Sequence, residues 1–390
     1  MKIFVLLSRF PYPLEKGDKL RAYHQIKTLS ENHEIILCCI SDKKIKKEWK
    51  NEVNKICSEL HVFELSKPLI YWNTVKQIFT DKPFQVGYFF QRAIDKKIRG
   101  IIKSTKPDHI YCQLIRVTEY VKNIHTIPKT LDYMDALSKG MYRRGEIARG
   151  IKKVAFLKEG KRLAEYEHRI YDYFNHHTII SEQDRNLINH PSKNQINIIE
   201  NGISSDFTSC LKKNQVKSHE LVFTGNMNYP PNIECSLFIV NEILPLLIRE
   251  KPQIKLLLSG ANPHPKIQEL NKNKNVTVTG WVEDIRDSYA KGKLFVAPLF
   301  IGTGLQNKLL EAMAMGLPVV TTSLANNALK AKPQKEVIIA KTAKEFSEEI
   351  LNLLKNKTHY QEIANNGFRY VEERYNWKNS VEKLEKLLTS

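Results

Sequence analysis

Gly302-Thr303-Gly304-Leu305-Gln306-Asn307-Lys308-Leu309-Leu310-Glu311-Ala312-Met313-Ala314-Met315-Gly316-Leu317-Pro318-Val319-Val320 reads as a glycine loop, a short helix, a glycine stop and a new strand. A Gly-x-Gly loop lets an anion come close to backbone N–H groups, and the helix N-terminus behind it adds a favourable dipole. Lys308 falls in the first helical turn, where it can meet a phosphate. Glu311 follows three residues later on the same face. A cation for phosphate and a carboxylate for hydroxyls, one turn apart, suit a nucleotide carrying a ribose.

Working outward, the C-terminal half alternates apolar runs with helical patterns. Strands are expected at Leu221–Thr224, Ile254–Ser259, Val276–Thr279, Leu294–Pro298, Val319–Thr321 and Val337–Ile339. Helices are expected at Ile233–Ile248, Leu309–Met315 and Ala343–Asn356. The N-terminal half repeats the alternation, with strands at Lys2–Leu7, Glu34–Ile40, His61–Leu65, His109–Cys112, Lys129–Tyr133 and Thr178–Ser181. Helical patterns lie between them at Lys19–Ser30, Lys43–Cys57 and Gln91–Ser104. Such alternation predicts doubly wound parallel sheets, and 390 residues suit two of them. Ligands of such sheets bind beyond the carboxyl ends of the strands, where the glycine loop falls. The polar stretch Pro191–Asn201 reads as the linker.

Three further segments end a strand and open a helix. In Leu221-Val222-Phe223-Thr224-Gly225-Asn226, Gly225 and Asn226 can offer backbone N–H groups to a diphosphate. No Arg or Lys lies in that turn, which leaves the cationic work to Lys308. After the first strand, Gly17 permits a close backbone approach, Asp18 follows it, and Arg21 can contact an anion. The competing reading is an ordinary turn with Asp18 as helix cap. In Leu131-Asp132-Tyr133-Met134-Asp135, two carboxylates three apart can bind acceptor hydroxyls or take a proton. Asp135 is the expected acting group and Asp132 its support, against helix capping by Asp135. His24, His109 and His168 have no metal-site spacing.

These motifs together resemble the GT-B glycosyltransferases of family 4, the group 1 glycosyltransferases. Leu310-Glu311-Ala312-Met313-Ala314, Gly316 and Pro318-Val319-Val320 carry the resemblance, and Asn201-Gly202-Ile203 is similar to the opening of that family's second domain. The proline-flanked Arg9–Arg21 segment resembles a branch associated with exopolysaccharide systems. The resemblance implies two Rossmann-like doubly wound domains, 1–195 on the acceptor side and 196–365 on the donor side, with 366–390 crossing back onto the first. It also implies a retaining sugar transfer from a UDP- or GDP-linked donor, with no cofactor and no metal. The implied donor contacts are Gly225, Asn226, Gly302, Thr303, Gly304, Leu305, Asn307, Lys308 and Glu311, with the main chain near Trp281 and Val282 reading the base. Many members carry a further glutamate eight positions before the retained one; here that position is Thr303. The final helical stretch, Ala364–Leu388, would pack through Tyr370, Tyr375 and Trp377.

Composition narrows the remaining classes. The net charge is +19, of which residues 1–195 carry +14. That excess attracts nucleic acid, anionic lipid or a phosphorylated acceptor, or is plain lysine solvation. The stretch Met141–Tyr173 is basic and amphipathic, and reads either as a solvated helix face or as a membrane contact. Cys38, Cys39, Cys57, Cys112, Cys210 and Cys235 form no C-x-x-C pair and read as reduced thiols. With no run of about 18 apolar residues and no signal-peptide pattern after Met1, a cytoplasmic chain is expected, peripheral at the inner membrane face. The expected acceptor is a saccharide, a lipid-linked saccharide or a protein-linked glycan. A nucleotide-sugar epimerase and a basic nucleic-acid-binding module are the competing readings. A dehydrogenase fails for want of G-x-G-x-x-G after the first strand.

Overall fold

The computed structural model describes residues 1–14, 16–204, 206–207, 217–301 and 304–390. The chain divides into two compact units. Residues Met1–Asn201 with Trp377–Ser390 form the first, and Gly202–Asn376 form the second.

The first unit holds a seven-stranded parallel sheet: β1 (Lys2–Leu7), β2 (Glu34–Ser41), β3 (Glu59–Glu64), β4 (His109–Gln113), β5 (Lys129–Asp132), β6 (His176–Ile179) and β7 (Asn197–Ile198), in the order β3-β2-β1-β4-β5-β6-β7. β1 is buried from Ile3 to Leu7 because helices cover both faces of the sheet, so it reads as an unbroken apolar run. The register pairs Val5 with Leu37 on one side and Tyr111 on the other. β7 falls inside the stretch expected to be linker. Two residues pairing Thr178 with Asn197 and Ile179 with Ile198 are too few to show a period, so only the neighbouring strand reveals them. The basic stretch near 141–173 is two helices, Leu137–Ile147 and Gly150–Tyr171, folded against each other.

The second unit contains β8 (His219–Thr224), β9 (Leu256–Ser259), β10 (Val276–Gly280), β11 (Gly292–Ala297), β12 (Val319–Thr321) and β13 (Ile338–Ile339), in the order β10-β9-β8-β11-β12-β13. In both sheets the winding direction reverses beside the first strand, between β1 and β4 and between β8 and β11. Side chains and loops beyond the carboxyl ends at those two points are therefore favoured for ligands. The helix Pro230–Glu250 is long and apolar enough to cross a membrane. Its Cys235, Ile239, Ile243, Leu244 and Leu247 are instead buried in the core of this unit.

The C-terminal stretch departs from the expected single helix. Lys357–Arg374 belongs to the second unit, where the hydroxyls of Tyr370 and Tyr375 both donate to the Leu329 carbonyl, at 2.6 and 2.8 Å. A break at Tyr375–Asn376 separates it from Trp377–Leu388, which belongs to the first unit. There Trp377, Val381, Leu384 and Leu388 join the core around β1, and Trp377 stacks on His24 with ring centroids 4.9 Å apart. Of the three aromatics, only Trp377 packs on the first unit. The boundaries lie at Asn201/Gly202 and Asn376/Trp377 rather than at 195/196 and 365/366.

One polar cluster crosses the core of the first unit. Arg21, on the helix Gly17–Leu29, is fully buried, and its Nε and Nη2 donate to the two oxygens of Asp132 at 2.6 and 3.3 Å. Its Nη1 donates to the Ile199 carbonyl and to Asn201 Oδ1. Asp132 also accepts from Tyr111, Thr178 and the Met134 N–H. Removing one member of a buried pair strands the other charge. Arg21→Met is therefore expected to lower the stability of the first unit by roughly 3–5 kcal/mol. In Arg21→Met/Asp132→Leu the second change should cost far less than Asp132→Leu alone. Denaturant titration of the three variants measures this coupling, and additive losses would refute it.

Candidate nucleotide-sugar site

The donor-side residues gather at the switch point between β8 and β11. Lys308 is the second residue of the helix Asn307–Ala314, whose N-terminus the loop after β11 delivers. Its ammonium hydrogen-bonds Asn232 Oδ1 and lies 5.3 Å from the centre of the Phe223 ring. The side chain keeps a partly exposed face within dense surroundings. Burial brings its pKa down to about 8, against a smaller upward pull from Cys235 and Glu311. Glu311, one turn on, accepts from the Tyr289 hydroxyl at 2.6 Å, and Tyr289 in turn accepts from Thr224 at 2.6 Å. Burial holds the Glu311 carboxyl above its usual range. The Thr224–Tyr289–Glu311 chain ties the end of β8 and the helix Ile285–Lys291 to the carboxylate, and so limits its rotamers.

Gly225 corrects one expectation. Its N–H donates to the Ser259 carbonyl, the Met227 N–H to Ala261 and the Asn228 N–H to Asn226 Oδ1. Within this turn the Asn226 N–H is the one left for an anion. The need for glycine at 225 is steric as well, since an added Cβ would stand 2.7 Å from Asn232 Nδ2. That amide donates to the Asn226 carbonyl and accepts from Lys308, so one side chain braces both the turn and the lysine. Gly260, after β9, has φ of 148°, and a Cβ there would be driven into the Gly225 carbonyl oxygen. Gly304 has φ of 80°, and its carbonyl accepts from the Gln306 side chain at 3.3 Å. Leu305 packs on the core and Asn307 opens the helix. Gly302 and Thr303 lie outside the described residues. Trp281 is 64% exposed, so it does not pack as a core residue, and Val282 beside it is half-buried.

Sequence reasoning missed Asn232, Tyr289, Thr224 and Gly260. Ser259-Gly260 directly after an apolar strand was a readable signal. Asn232 and Tyr289 carried none, because only the packing of helices on the sheet brings them to Lys308 and Glu311.

The first-unit residues split into two groups. Arg21 and Asp132 bond each other and the chain around them, so Arg21 is a structural cation rather than an anion contact. Asp132 supports Asp135 indirectly, by accepting the Met134 N–H at 3.2 Å where φ is 63°. Asp135 follows that bend with an exposed side chain, and burial of its surroundings, then Asp184, push its pKa up to about 6. It does not cap the following helix; Glu167 takes the Ser138 N–H at 3.0 Å and its hydroxyl at 2.6 Å. The helix at residue 17 starts at Gly17, and Asp18 is not its cap. Asp18 accepts from Arg9 at 2.6 Å. Nothing lies within 4 Å of a Cβ at Gly17, so the fold itself does not demand glycine there. Arg116, past β4, donates to Gln85 at 2.9 Å, and burial together with Arg9 lowers its pKa. Arg9, Asp42, Tyr88 and Arg116 line a cavity of about 310 Å³ at the carboxyl ends of this sheet. Among the described residues no cluster of three His, Cys, Asp or Glu side chains could hold a metal ion.

Known proteins bear on this arrangement. Residues 218–356, within the second unit, match the family model described as Glycosyl transferases group 1. The whole chain is similar to an uncharacterized 44.6 kDa protein in the cps region of Klebsiella pneumoniae, 24% identical with 97% of each chain covered. Among solved structures it resembles Anabaena HepE in complex with UDP and glucose, with a TM-score of 0.68, 14% identity and 99% of each chain covered. It also resembles WaaG, a glycosyltransferase involved in lipopolysaccharide biosynthesis, with a TM-score of 0.66, 13% identity and 100% of each chain covered. At such identities the two structures speak to the fold, which is GT-B. The family match falls on the segment that carries Lys308 and Glu311, and there the chain is similar to the group 1 glycosyltransferases.

Proposed function

We propose that the protein transfers a sugar from a UDP- or GDP-linked donor to a hydroxyl acceptor, with retention at the anomeric carbon and without a bound metal. The observation that carries this reading is the Lys308–Glu311 pair in the first turns of one helix at the switch point of the second unit, braced by Asn232 and Tyr289. The reaction breaks the bond between the anomeric carbon and the diphosphate oxygen. Lys308, the helix N-terminus and the 302–304 loop would stabilise the charge that develops there. Glu311 would accept from the ribose hydroxyls, and the main chain near Trp281 and Val282 would read the base. The acceptor hydroxyl attacks from the side on which the diphosphate leaves, and its proton passes to the departing oxygen. Asp135 would orient that hydroxyl.

The acceptor is taken to be a saccharide, free, lipid-linked or protein-linked, in polysaccharide or glycoconjugate synthesis. The relative in a cps region supports that role. A first unit this basic also favours a peripheral place at the inner, anionic face of a membrane. An epimerase would interconvert the donor sugar with no acceptor and no release of nucleoside diphosphate. Product analysis with UDP-, GDP-, ADP- and dTDP-sugars, after a thermal-shift screen for the donor, separates the two.

Two variants test the assignments. The protonated form of Lys308 is the one that binds diphosphate, so its contribution to affinity should be fully present below pH 8. Above about pH 8 it should fall, approaching tenfold per pH unit. Lys308→Arg should flatten that fall, whereas Lys308→Ala should weaken binding roughly 10- to 100-fold at pH 7. Calorimetry against the nucleoside diphosphate measures both, and an unaltered affinity in Lys308→Ala removes the lysine from the site. On the acceptor side, kcat should drop as pH falls through about 6 and Asp135 is protonated. Asp135→Asn should lower kcat and abolish this acid limb while donor affinity stays constant. A wild-type kcat in that variant would exclude Asp135.

A further inference from the structure

The segment Lys67–Phe79 of the first unit is turned the wrong way for water. It forms a helix, Lys67–Lys76, followed by a helical turn, Gln77–Phe79. Ile70, Asn73, Thr74 and Gln77 face the protein, at the i, i+3, i+4, i+7 spacing of one helical stripe. The polar side chains of that stripe are satisfied there: Asn73 donates to the Phe90 carbonyl, Thr74 to the Ile70 carbonyl, and Gln77 Oε1 accepts from the Thr80 hydroxyl at 2.5 Å. The opposite stripe is apolar and stands in solvent. Phe79 is 85% exposed, Tyr71 74%, Trp72 69%, Val75 52%, Ile78 51% and Leu69 43%. Six large apolar side chains within eleven residues form a contiguous patch of the kind that marks an interaction surface.

We propose that this stripe is a membrane-docking surface whose occupant is the headgroup–acyl boundary of a bilayer containing anionic lipid. The inference deepens the peripheral-membrane reading and rests on it only for the choice of partner. Charge complementarity selects that partner. Lys67 and Lys76 are exposed on the segment itself. The helix Gly150–Tyr171 is pinned to the same region, because Glu159 accepts the Phe84 and Gln85 N–H groups and Arg162 reaches the Gln77 and Ile78 carbonyls. Exposed Lys158 and Lys161 flank those anchors. Residues 139–161 hold eight Lys or Arg against two Glu, and among them Ile147, Ile151 and Val154 are 76%, 89% and 65% exposed. An apolar stripe with Trp and Tyr, bordered by cations, fits an anionic interface, where the rings sit at headgroup depth. A second copy is disfavoured as occupant, since two surfaces this basic repel. Thr74, on the inward side of the helix, lines the cavity that holds Arg9 and Arg116, so the docking face borders that cavity.

Co-sedimentation of the full chain with vesicles of phosphatidylcholine containing phosphatidylglycerol tests the inference, with pure phosphatidylcholine vesicles as control. Binding to the anionic vesicles alone is expected, and Tyr71→Ser/Trp72→Ser/Phe79→Ser should reduce it about tenfold or more. The same variant should keep its thermal stabilisation by the donor nucleotide, which shows that it is folded. Lipids brominated in the acyl chain should quench the fluorescence of the wild type and spare that contribution in Trp72→Phe. If the triple variant binds as the wild type does while Lys152→Glu/Lys153→Glu does not, attachment is electrostatic, and the insertion proposal falls while the peripheral reading stands. If the wild type binds no vesicles, both fall. If the wild type is a dimer that the triple variant makes monomeric, the face belongs to a second copy and the proposal is overturned.

Discussion

The first unit depends on one buried charge pair. Arg21 and Asp132 are both fully buried, and removing either would leave the other charge unpaired in the interior. The guanidinium uses its fork on the carboxylate and its remaining reach on Ile199 and Asn201, where the chain leaves this unit. The carboxylate uses its other lone pairs on Tyr111 of β4, Thr178 of β6 and the Met134 N–H. The first helix, three strands and the exit of the chain are thereby held by one set of hydrogen bonds. At the bend that leads to Asp135, Met134 has a φ of 63° and its N–H donates to Asp132.

The second unit solves a different problem with similar means. Lys308 sits in dense surroundings, where a lysine loses its proton more readily. Asn232 and the face of Phe223 compensate in part, beside the weaker pull of Glu311. Glu311 is treated in the same way: a neutral hydroxyl, Tyr289, orients it instead of a cation. The direct hydrogen-bond partners of both side chains, Asn232 and Tyr289, are neutral. The close approach of Gly260 to Gly225 lets the ends of β9 and β8 meet below this site, a contact no side chain would permit.

Much of the fold was legible because parallel strands buried on both faces leave apolar runs, and the helices between them leave stripes. The helix Asn307–Ala314 with Lys308 and Glu311 one turn apart was legible for a related reason, since it lies within nineteen consecutive residues. β7 and the inverted helix Lys67–Lys76 were not. Two residues carry no period, and a helix with its apolar side outward has the same composition as one with it inward. The single C-terminal helix was a comparable misreading: nothing in Tyr370, Tyr375 and Trp377 says which unit each aromatic will join.

By itself, the sequence determined that this chain builds two doubly wound sheets and places a cation and a carboxylate one helical turn apart behind a glycine loop. Those features follow from spacing along the chain, and spacing is local. Tertiary structure alone decided that Arg21 is spent on Asp132 and that Asn232 and Tyr289 serve Lys308 and Glu311. It alone decided which side of Lys67–Phe79 meets the solvent. Each of these depends on residues distant in sequence meeting in space, where burial sets whether a charge is paired internally or left for a ligand.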